Sequence, residues 1–384
     1  MQILTNAIDE IIDKKSLIRK IRIDKKLRIK LGVDPSAPDL HLGHYIVLNQ
    51  LKKFNDAGHK IIFLIGDATA KIGDPSGRNV ERPVLTDLQI KNNVKTYIDQ
   101  VGLVLDTDSA EVRYNSEWYS KMDFYKWLEI AGGFSVNQLI ERDDFNNRLK
   151  RGLKLSVQEM MYPMMQAYDS VQLKADIEIG GTDQKFNMLI GRALQRKMDL
   201  PEQDIITMQL LVGTDGKKKM SKSVGNYIGL TDVPEEMFGK IMSIPDSIIP
   251  QYARLILNKS MADLAQLAGG DHPMACKQTL AHSIVELFYR GSGRKAQEQF
   301  TRVYSHKKMP SDTAAVSVDA DKSLKEILIN RKIVESVSEL RRLVSQRAVK
   351  SDGQIIALDE IYKPISPGEH NIKIGKRRFL KIIK

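Results

Sequence analysis

LRIKLGVDPSAPDLHLGHYIVLNQLKKFNDAGHKIIFLI, residues 27–65, is the stretch whose reading decides the fold. Leu27, Ile29, Leu31 and Val33 alternate with basic or small residues, which is the period of a strand, and Asp34-Pro35 break it. A polar loop leads to His41 and to a helix whose apolar positions Val47, Leu51 and Phe54 recur at i, i+4 and i+7. Gly58 ends that helix, and Ile61 to Ile65 reads as the next, fully buried strand. This order is the βαβ unit of a doubly wound parallel sheet, an α/β fold whose ligands bind beyond the carboxyl ends of the strands. His41 and His44 therefore fall at the ligand end.

Outward from this unit, residues 85 to 170 read mainly as helices with short loops, and Ile205 to Val212 as a later strand of the same sheet. From Pro234 to Tyr304 the pattern is helical, with breaks at Gly269-Gly270 and Gly291 to Gly293. Lys307 to Asp321, carrying Pro310, reads as a linker. A Ser336-x-x-Glu339 capping box follows, then a helix with Leu340, Leu343 and Val344 on one face, and short strands about turns at Asp352-Gly353 and Gly375. The domains expected are a Rossmann-like catalytic domain with a helical insertion (1–230), an α-helical domain (231–306), a linker (307–321) and a small α+β basic domain (322–384).

With 384 residues, 42% of them hydrophobic and 28% charged, the chain can bury at least one large core. The longest unbroken apolar run, Ile61 to Ile65, is too short to cross a bilayer, and Met1 to Lys20 mixes Asp9, Glu10 and Asp13 with its lysines, unlike a targeting peptide. No membrane association and a cytoplasmic location are the expectation. A lone cysteine, Cys276, excludes an internal disulfide and a multi-thiolate zinc site. The net charge of +11 is concentrated: residues 322–384 hold fifteen Lys and Arg against seven Asp and Glu. Such an excess on a small domain fits a polyanionic partner, above all a phosphate backbone.

Two short stretches carry the chemistry, His41-Leu42-Gly43-His44 and Lys219-Met220-Ser221-Lys222-Ser223. In this order they resemble the HIGH and KMSKS signatures of class I aminoacyl-tRNA synthetases, which use ATP to activate an amino acid and then load it onto tRNA. Activation is attack by a carboxylate on the α-phosphate, and that nucleophile is already ionised, so no general base is needed. Positive charge and hydrogen-bond donors aimed at the reacting oxygens are. Two imidazoles at a helix N-terminus suit this, and Gly43 between them lets a base or ribose approach the backbone. Lys219 and Lys222 lie in a loop flanked by Gly213, Gly216 and Gly225, able to close over a nucleotide and reach its outer phosphates. A Walker A motif and a complete G-x-G-x-x-G are both absent from the sequence, which argues against a P-loop ATPase or a dinucleotide oxidoreductase.

Tyr162, Gln166 and Asp169 stand at i, i+4 and i+7 on one helical face in a segment rich in Met, and Gly180-Gly181-Thr182-Asp183-Gln184 reads as a tight glycine turn followed by an acid and an amide. With Gly-Val-Asp-Pro at 32–35 and Gly-Asp-Pro-Ser-Gly at 73–77, these segments resemble bacterial-type tyrosyl-tRNA synthetases nearly end to end, in the subtype with HLGH and KMSKS spellings. The resemblance implies that Asp169 accepts from the tyrosine phenol, that Tyr162, Gln166 and Asp74 hold its ammonium, and that Gln184 positions the carboxylate. It implies ATP contacts from Asp34, His41, Gly43, His44, Gly181, Asp183, Lys219, Lys222 and Ser223, with Arg78 and Arg82 on the outgoing pyrophosphate. Magnesium is expected with ATP, and no protein metal ligand is assigned. Lys30 stands where many tyrosyl enzymes have a tyrosine, which puts a second phenol contact in doubt; Asp67 is a candidate replacement, or else a helix cap or salt-bridge partner.

The C-terminal module resembles a ribosomal-protein-type RNA-binding domain in which Arg341, Arg342, Arg347, Lys350 and the Lys376-Arg377-Arg378 turn contact the sugar-phosphate backbone. The family implies tRNA(Tyr) bound across a homodimer, with 231–306 near the anticodon stem. Rival readings are a tryptophanyl-tRNA synthetase, another HIGH-type nucleotidyltransferase that leaves the basic tail unexplained, and a non-catalytic structured-RNA-binding protein on a synthetase scaffold.

Overall fold

In the computed structural model, β1 (Ile8–Ile12) and α1 (Lys14–Arg22) precede β2 (Arg28–Val33), α2 (Leu42–Asp56) and β3 (Lys60–Ile65). The βαβ reading holds: β2 and β3 are parallel neighbours from Arg28↔Lys60 to Val33↔Ile65. Ile61 to Ile65 are all buried, as a strand covered on both faces requires. Gly58 has φ +83°, a conformation that closes the turn out of α2 and that side-chain-bearing residues rarely adopt. The structure describes residues 3–23, 25–35, 39–75, 86–107, 109–302, 315–318, 322–375 and 378–384. They fall in two compact units, Met1–Gly293 and Arg294–Lys384.

The first unit continues through α3 (Asp87–Val101), β4 (Glu111–Tyr114), α4 (Ser116–Tyr119), α5 (Phe124–Gly132), α6 (Val136–Ile140), α7 (Asp143–Lys150), α8 (Val157–Leu173), β5 (Ile177–Gly181), α9 (Lys185–Lys197) and β6 (Asp204–Met208). Its sheet runs β1-β6-β5-β2-β3-β4, with only the edge pair β1–β6 antiparallel. From β2 the chain winds one way to β3 and β4 and the other way to β5 and β6. The crevice of such a sheet opens where the winding reverses, at the carboxyl ends of β2 and β5.

Three features of this sheet differ from the sequence expectation. Strands β1 and β4 escape a pattern search because both are half-buried edges in which charges interrupt the apolar period. Arg113 pairs with Glu111 and Glu117 at the β4 edge. Gly180-Gly181 are not a tight turn but the last two residues of β5, with Gly181 extended at φ −66°, ψ 161°. Small size matters there for close approach: a Cβ on Gly180 would lie 3.2 Å from Met188 Sδ and from Gln184 Cβ. Strand β6 stops at Met208, short of Val212, because Val212 bridges Lys219 in a separate hairpin.

Beyond the sheet come α10 (Pro234–Met242), α11 (Ile249–Leu257), α12 (Met261–Ala268) and α13 (Pro273–Phe288). Pro234 and Pro273 occupy first-turn positions and Gly269 a left-handed C-cap, each where a helix tolerates it. Helices α10, α11 and α12 pack on α13. Among the described residues no helix is long and apolar enough to cross a membrane.

The second unit holds most of α14 (Gly293–Phe300), then β7 (Ala315–Ser317), α15 (Leu324–Asn330), α16 (Val337–Ser345), β8 (Val349–Ser351), β9 (Gln354–Ile355), β10 (Glu369–Ile374) and β11 (Arg378–Ile383). Its sheet is ordered β7-β11-β10-β8-β9 over a core that includes Leu324, Leu328, Leu340, Ile372, Ile374 and Ile382. The stretch expected as a linker thus contributes a strand, too short to show a period, whose Val316 is buried. The capping box is half formed. Ser336 accepts from the Glu339 N–H, but the Glu339 carboxylate turns to the Glu335 N–H (2.7 Å) and to Arg378 (2.8 Å).

Candidate active site

Asp34 follows β2 into the crevice. Its Oδ1 accepts from Thr69 Oγ1 (2.8 Å) and its Oδ2 from Tyr162 Oη (3.0 Å). Gly66 makes this possible, since a Cβ there would sit 2.2 Å from Asp34 Oδ1 and 2.3 Å from Thr69 Oγ1. The crevice is a cleft of about 1160 Å³. It is lined by Asp34, His41, Gly43, His44, Asp74, Tyr162, Gln166, Asp169, Gly181, Asp183, Gln184, Lys219, Lys222 and Ser223. Residues drawn from six separated segments of sequence meet in one place.

At its mouth, the two histidines cap α2 themselves. Gly43 N–H donates to His41 Nδ1 and His41 N–H to His44 Nδ1, both at 3.2 Å, the reciprocal pattern that Ser or Thr and Glu usually make. A Cβ on Gly43 would lie 3.0 Å from the His41 ring, so this glycine serves the cap as well as ligand approach. Burial drives both imidazoles toward neutrality, His41 well below its ordinary range and His44 down to about 4, with the nearby lysines adding to the effect. With each Nδ1 accepting, the proton of each neutral ring sits on Nε2. The histidines are thus neutral donors rather than cations, and the positive charge comes from the lysines and the helix terminus.

Lys219 and Lys222 project from a hairpin opened by the Val212↔Lys219 bridge and closed by Gly225 in the left-handed region. Asn226 organises it. Its Nδ2 donates to Asp215 Oδ2 (3.1 Å) and to the carbonyls of Lys218 and Lys219, and its Oδ1 accepts from the Ser221 N–H (2.8 Å). Both signature lysines are held by carboxylates, Lys219 by Asp183 (2.7 Å) and Lys222 by Asp39 (2.6 Å). Tyr227 lies between the signatures, its ring 6.2 Å from that of His41 and 5.7 Å from Lys222 Nζ. Asp39, Asn226 and Tyr227 went unnoticed in the sequence, where nothing marks them from other loop residues.

Deeper in the cleft, Asp169 accepts from Trp118 Nε1 (3.0 Å) and Asn115 Nδ2 (3.3 Å). Burial pushes its carboxyl up to about 7, against the opposing pull of the Lys30 charge and of these hydrogen bonds. Lys30, buried completely, pairs with Glu178 at 2.9 Å. Along the wall, Gln184 Nε2 donates to Asp74 Oδ2 (2.8 Å), and Asn187 Nδ2 donates to the side-chain oxygens of Gln166 (3.0 Å) and Gln184 (3.2 Å). Buried Arg142 donates to Asn187 Oδ1 (3.0 Å) and stands 3.7 Å from Asp74. Polar residues such as Asn115 and Arg142, each just before a helix, and Asn187 within α9 give no signal until tertiary packing buries them.

Asp67 is not brought into this cleft. Its Oδ1 accepts from the Ser116 N–H (2.9 Å) at the start of α4, and the residue lines a neighbouring hollow. Arg78, Arg82, Lys376 and Arg377 lie outside the described residues. In the second unit Arg341, Arg342 and Arg347 are exposed and Lys350 half-buried. Arg341 Nε donates to Tyr362 Oη (2.7 Å), while Arg378 is committed to the Ile333 carbonyl (2.6 Å) and Glu339 (2.8 Å).

Residues 22–305 match the family model of tRNA synthetases class I (W and Y). The chain is 42% identical over 389 residues to a tyrosine–tRNA ligase of Thermotoga maritima, covering all of this chain and 96% of that one. It is 42% identical to another of Francisella tularensis subsp. tularensis, covering 100% and 98%. Among solved structures, a tyrosyl-tRNA synthetase complexed with L-tyrosine from Archaeoglobus fulgidus superposes with a TM-score of 0.63 at 25% identity, over 77% of this chain and 98% of that one. A C-terminally truncated mitochondrial tyrosyl-tRNA synthetase of Aspergillus nidulans, 21% identical, shares the fold with a TM-score of 0.62 over 78% of this chain and 92% of that one. Matched by that family model over most of its length, and by these ligases from end to end, the chain belongs to the class I tRNA synthetases, in the branch of the tryptophan and tyrosine enzymes.

Proposed function

We propose that the chain activates L-tyrosine with ATP to tyrosyl-adenylate and pyrophosphate and then transfers the tyrosyl group to the 3′ end of tRNA(Tyr). The observation that carries this reading is the meeting of both signatures with a buried carboxylate, Asp169, in one cleft. Asp169 accepts the substrate phenol; Tyr162, Gln166 and Asp74 hold the ammonium, and Gln184 the carboxylate end. Phenylalanine leaves Asp169 desolvated without that donor, so it binds less well. His41 and His44 donate from Nε2 to the phosphate oxygens, and Asp34, Gly181 and Asp183 take the adenylate and its ribose. The ribose hydroxyls compete with Lys219 for Asp183, so nucleotide entry frees that lysine for the phosphates, as Lys222 leaves Asp39. Arg78 and Arg82 are assigned to the outgoing pyrophosphate. Magnesium enters on the nucleotide, with no residue assigned to it.

The exposed Arg341, Arg342 and Arg347 support tRNA backbone contact by the 322–384 module, to which Lys350, Lys376 and Arg377 are also assigned; Arg378, spent on Ile333 and Glu339, holds the module together rather than contacting RNA, and the 231–306 helices are assigned to the anticodon stem. Exposed Phe124, Tyr125, Leu128, Val136 and Val157, on or beside helices α5, α6 and α8, support a homodimer. The location assigned is the cytoplasm. Amino-acid-dependent exchange of labelled pyrophosphate into ATP, run with all twenty amino acids, tests the reaction. Exchange with tyrosine alone is expected; exchange with tryptophan overturns Asp169 as phenol partner, and none at all favours an RNA-binding scaffold.

A further inference from the structure

Lys30 lines the cleft from β2, yet its side chain is wholly buried. Its ammonium has three protons and three acceptors: Glu178 Oε1 at 2.9 Å, Ser170 Oγ at 2.8 Å and the Gln166 carbonyl at 3.1 Å. Glu178, as deeply buried, accepts in turn from Gln166 Nε2 (3.1 Å), Ser170 Oγ (3.0 Å) and Gln203 Nε2 (2.5 Å). An ion pair so far from water adds little net stability, because desolvating both ions offsets their attraction. Packed apolar side chains would fill the same space without that penalty. What distinguishes the pair is its effect on two residues that face the substrate.

The first is Gln166. An ionised carboxylate only accepts, so Glu178 takes the nitrogen of the Gln166 amide and leaves its oxygen turned toward Asn187 Nδ2 on the cleft wall. Oxygen is the end that suits a substrate ammonium, and the flipped amide would present N–H donors to it instead. The second is Asp169, which feels the Lys30 charge through the interior, where such interactions are poorly screened. We propose that the buried Lys30–Glu178 pair is the specificity device of the pocket: Glu178 fixes the Gln166 oxygen toward the substrate ammonium, and Lys30 favours Asp169 as the acceptor of the substrate phenol. This rests on the assignment of Gln166 and Asp169 to substrate binding made above. Lys30 and Glu178 act through those residues and are positioning residues.

The titratable groups facing Asp169 are Lys30 from β2 and Tyr119 from α4, which burial keeps neutral; Glu178 of β5 is reached through Lys30, and Asp34 through Thr69 and Asn115. The test is pyrophosphate exchange from about pH 5.5 to about pH 8.5 with the full chain, its Lys30→Met variant, the double variant Lys30→Met/Glu178→Gln, and Asp169→Asn. The wild-type kcat/KM for tyrosine should rise with pH as Asp169 ionises. In Lys30→Met that limb should move up by about one pH unit or more. The KM for tyrosine should increase roughly tenfold while that for ATP holds, and the preference for tyrosine over phenylalanine should narrow. The double variant leaves no buried charge unpaired, so the same shift there separates the effect from misfolding. A limb and a tyrosine KM unchanged from wild type in both Lys30 variants overturn the proposal. Failure of the underlying assignment looks different: Asp169→Asn would then keep both the limb and the tyrosine preference.

Discussion

A histidine that is neutral because it is buried makes the fold sensitive to acid. His44 releases its proton near pH 4 in the folded chain against an ordinary value of 6.5. Between those values the unfolded state binds more protons, so stability is lost as pH falls through that window. Urea unfolding of His44→Asn and wild type at about pH 7.5 and about pH 5 should show the wild type losing the larger share of its stability on acidification. Equal losses would mean that the imidazole is already charged in the fold. In adenylate formation, His41→Ala and Lys222→Ala each remove a group that the proposed function assigns to the phosphates, and single-turnover rates should drop on the order of a hundredfold. Gly66 is exacting for a different reason. Gly66→Ala would push a methyl group into Asp34 and Thr69, and should cost about 1–3 kcal/mol in urea melts together with most of the exchange activity.

At the scale of the element, the lysine hairpin depends on a side chain outside its signature. Asn226→Ala removes the donor to Asp215, Lys218 and Lys219 and the acceptor of the Ser221 N–H while leaving the sheet untouched. Adenylate formation should slow at least about tenfold with a thermal midpoint near that of wild type, and trypsin should cut faster at Lys217 to Lys222. Unchanged cleavage would show that the hairpin does not need this staple. The same contrast explains what was legible in the sequence. Residues 27–65 carry one period per element and were readable, as were the signature residues, because their chemistry is local. The β1 and β4 edges were not, since charges there replace the apolar period, and β5 was hidden because its Glu178 is satisfied only by Lys30 and others distant in sequence. Asn115, Trp118, Arg142 and Asn187 acquire meaning only through burial against α8 and α9.

For the whole molecule, the separation of the described chain into two compact units predicts separable defects. Deleting the whole second unit, 294–384, should spare pyrophosphate exchange and weaken tRNA charging; loss of both would show that unit to be structural for the first. Raising salt from about 50 mM to about 200 mM should lower the kcat/KM of charging for tRNA at least tenfold and leave exchange nearly constant, since phosphate contacts release counterions and the cleft chemistry does not. Light scattering on Tyr125→Asp/Val157→Asp should report half the wild-type mass if these exposed apolar residues join two copies. The strand β7 bears on how the molecule is made. Among the described residues its sheet partner is β11, to which Ala315 to Ser317 pair in parallel through Lys381 to Ile383. A ribosome synthesises β11 about sixty residues after β7. During translation the earlier strand must therefore wait, unpaired, until its partner emerges, and a nascent chain stalled before residue 378 presents an open edge to chaperones.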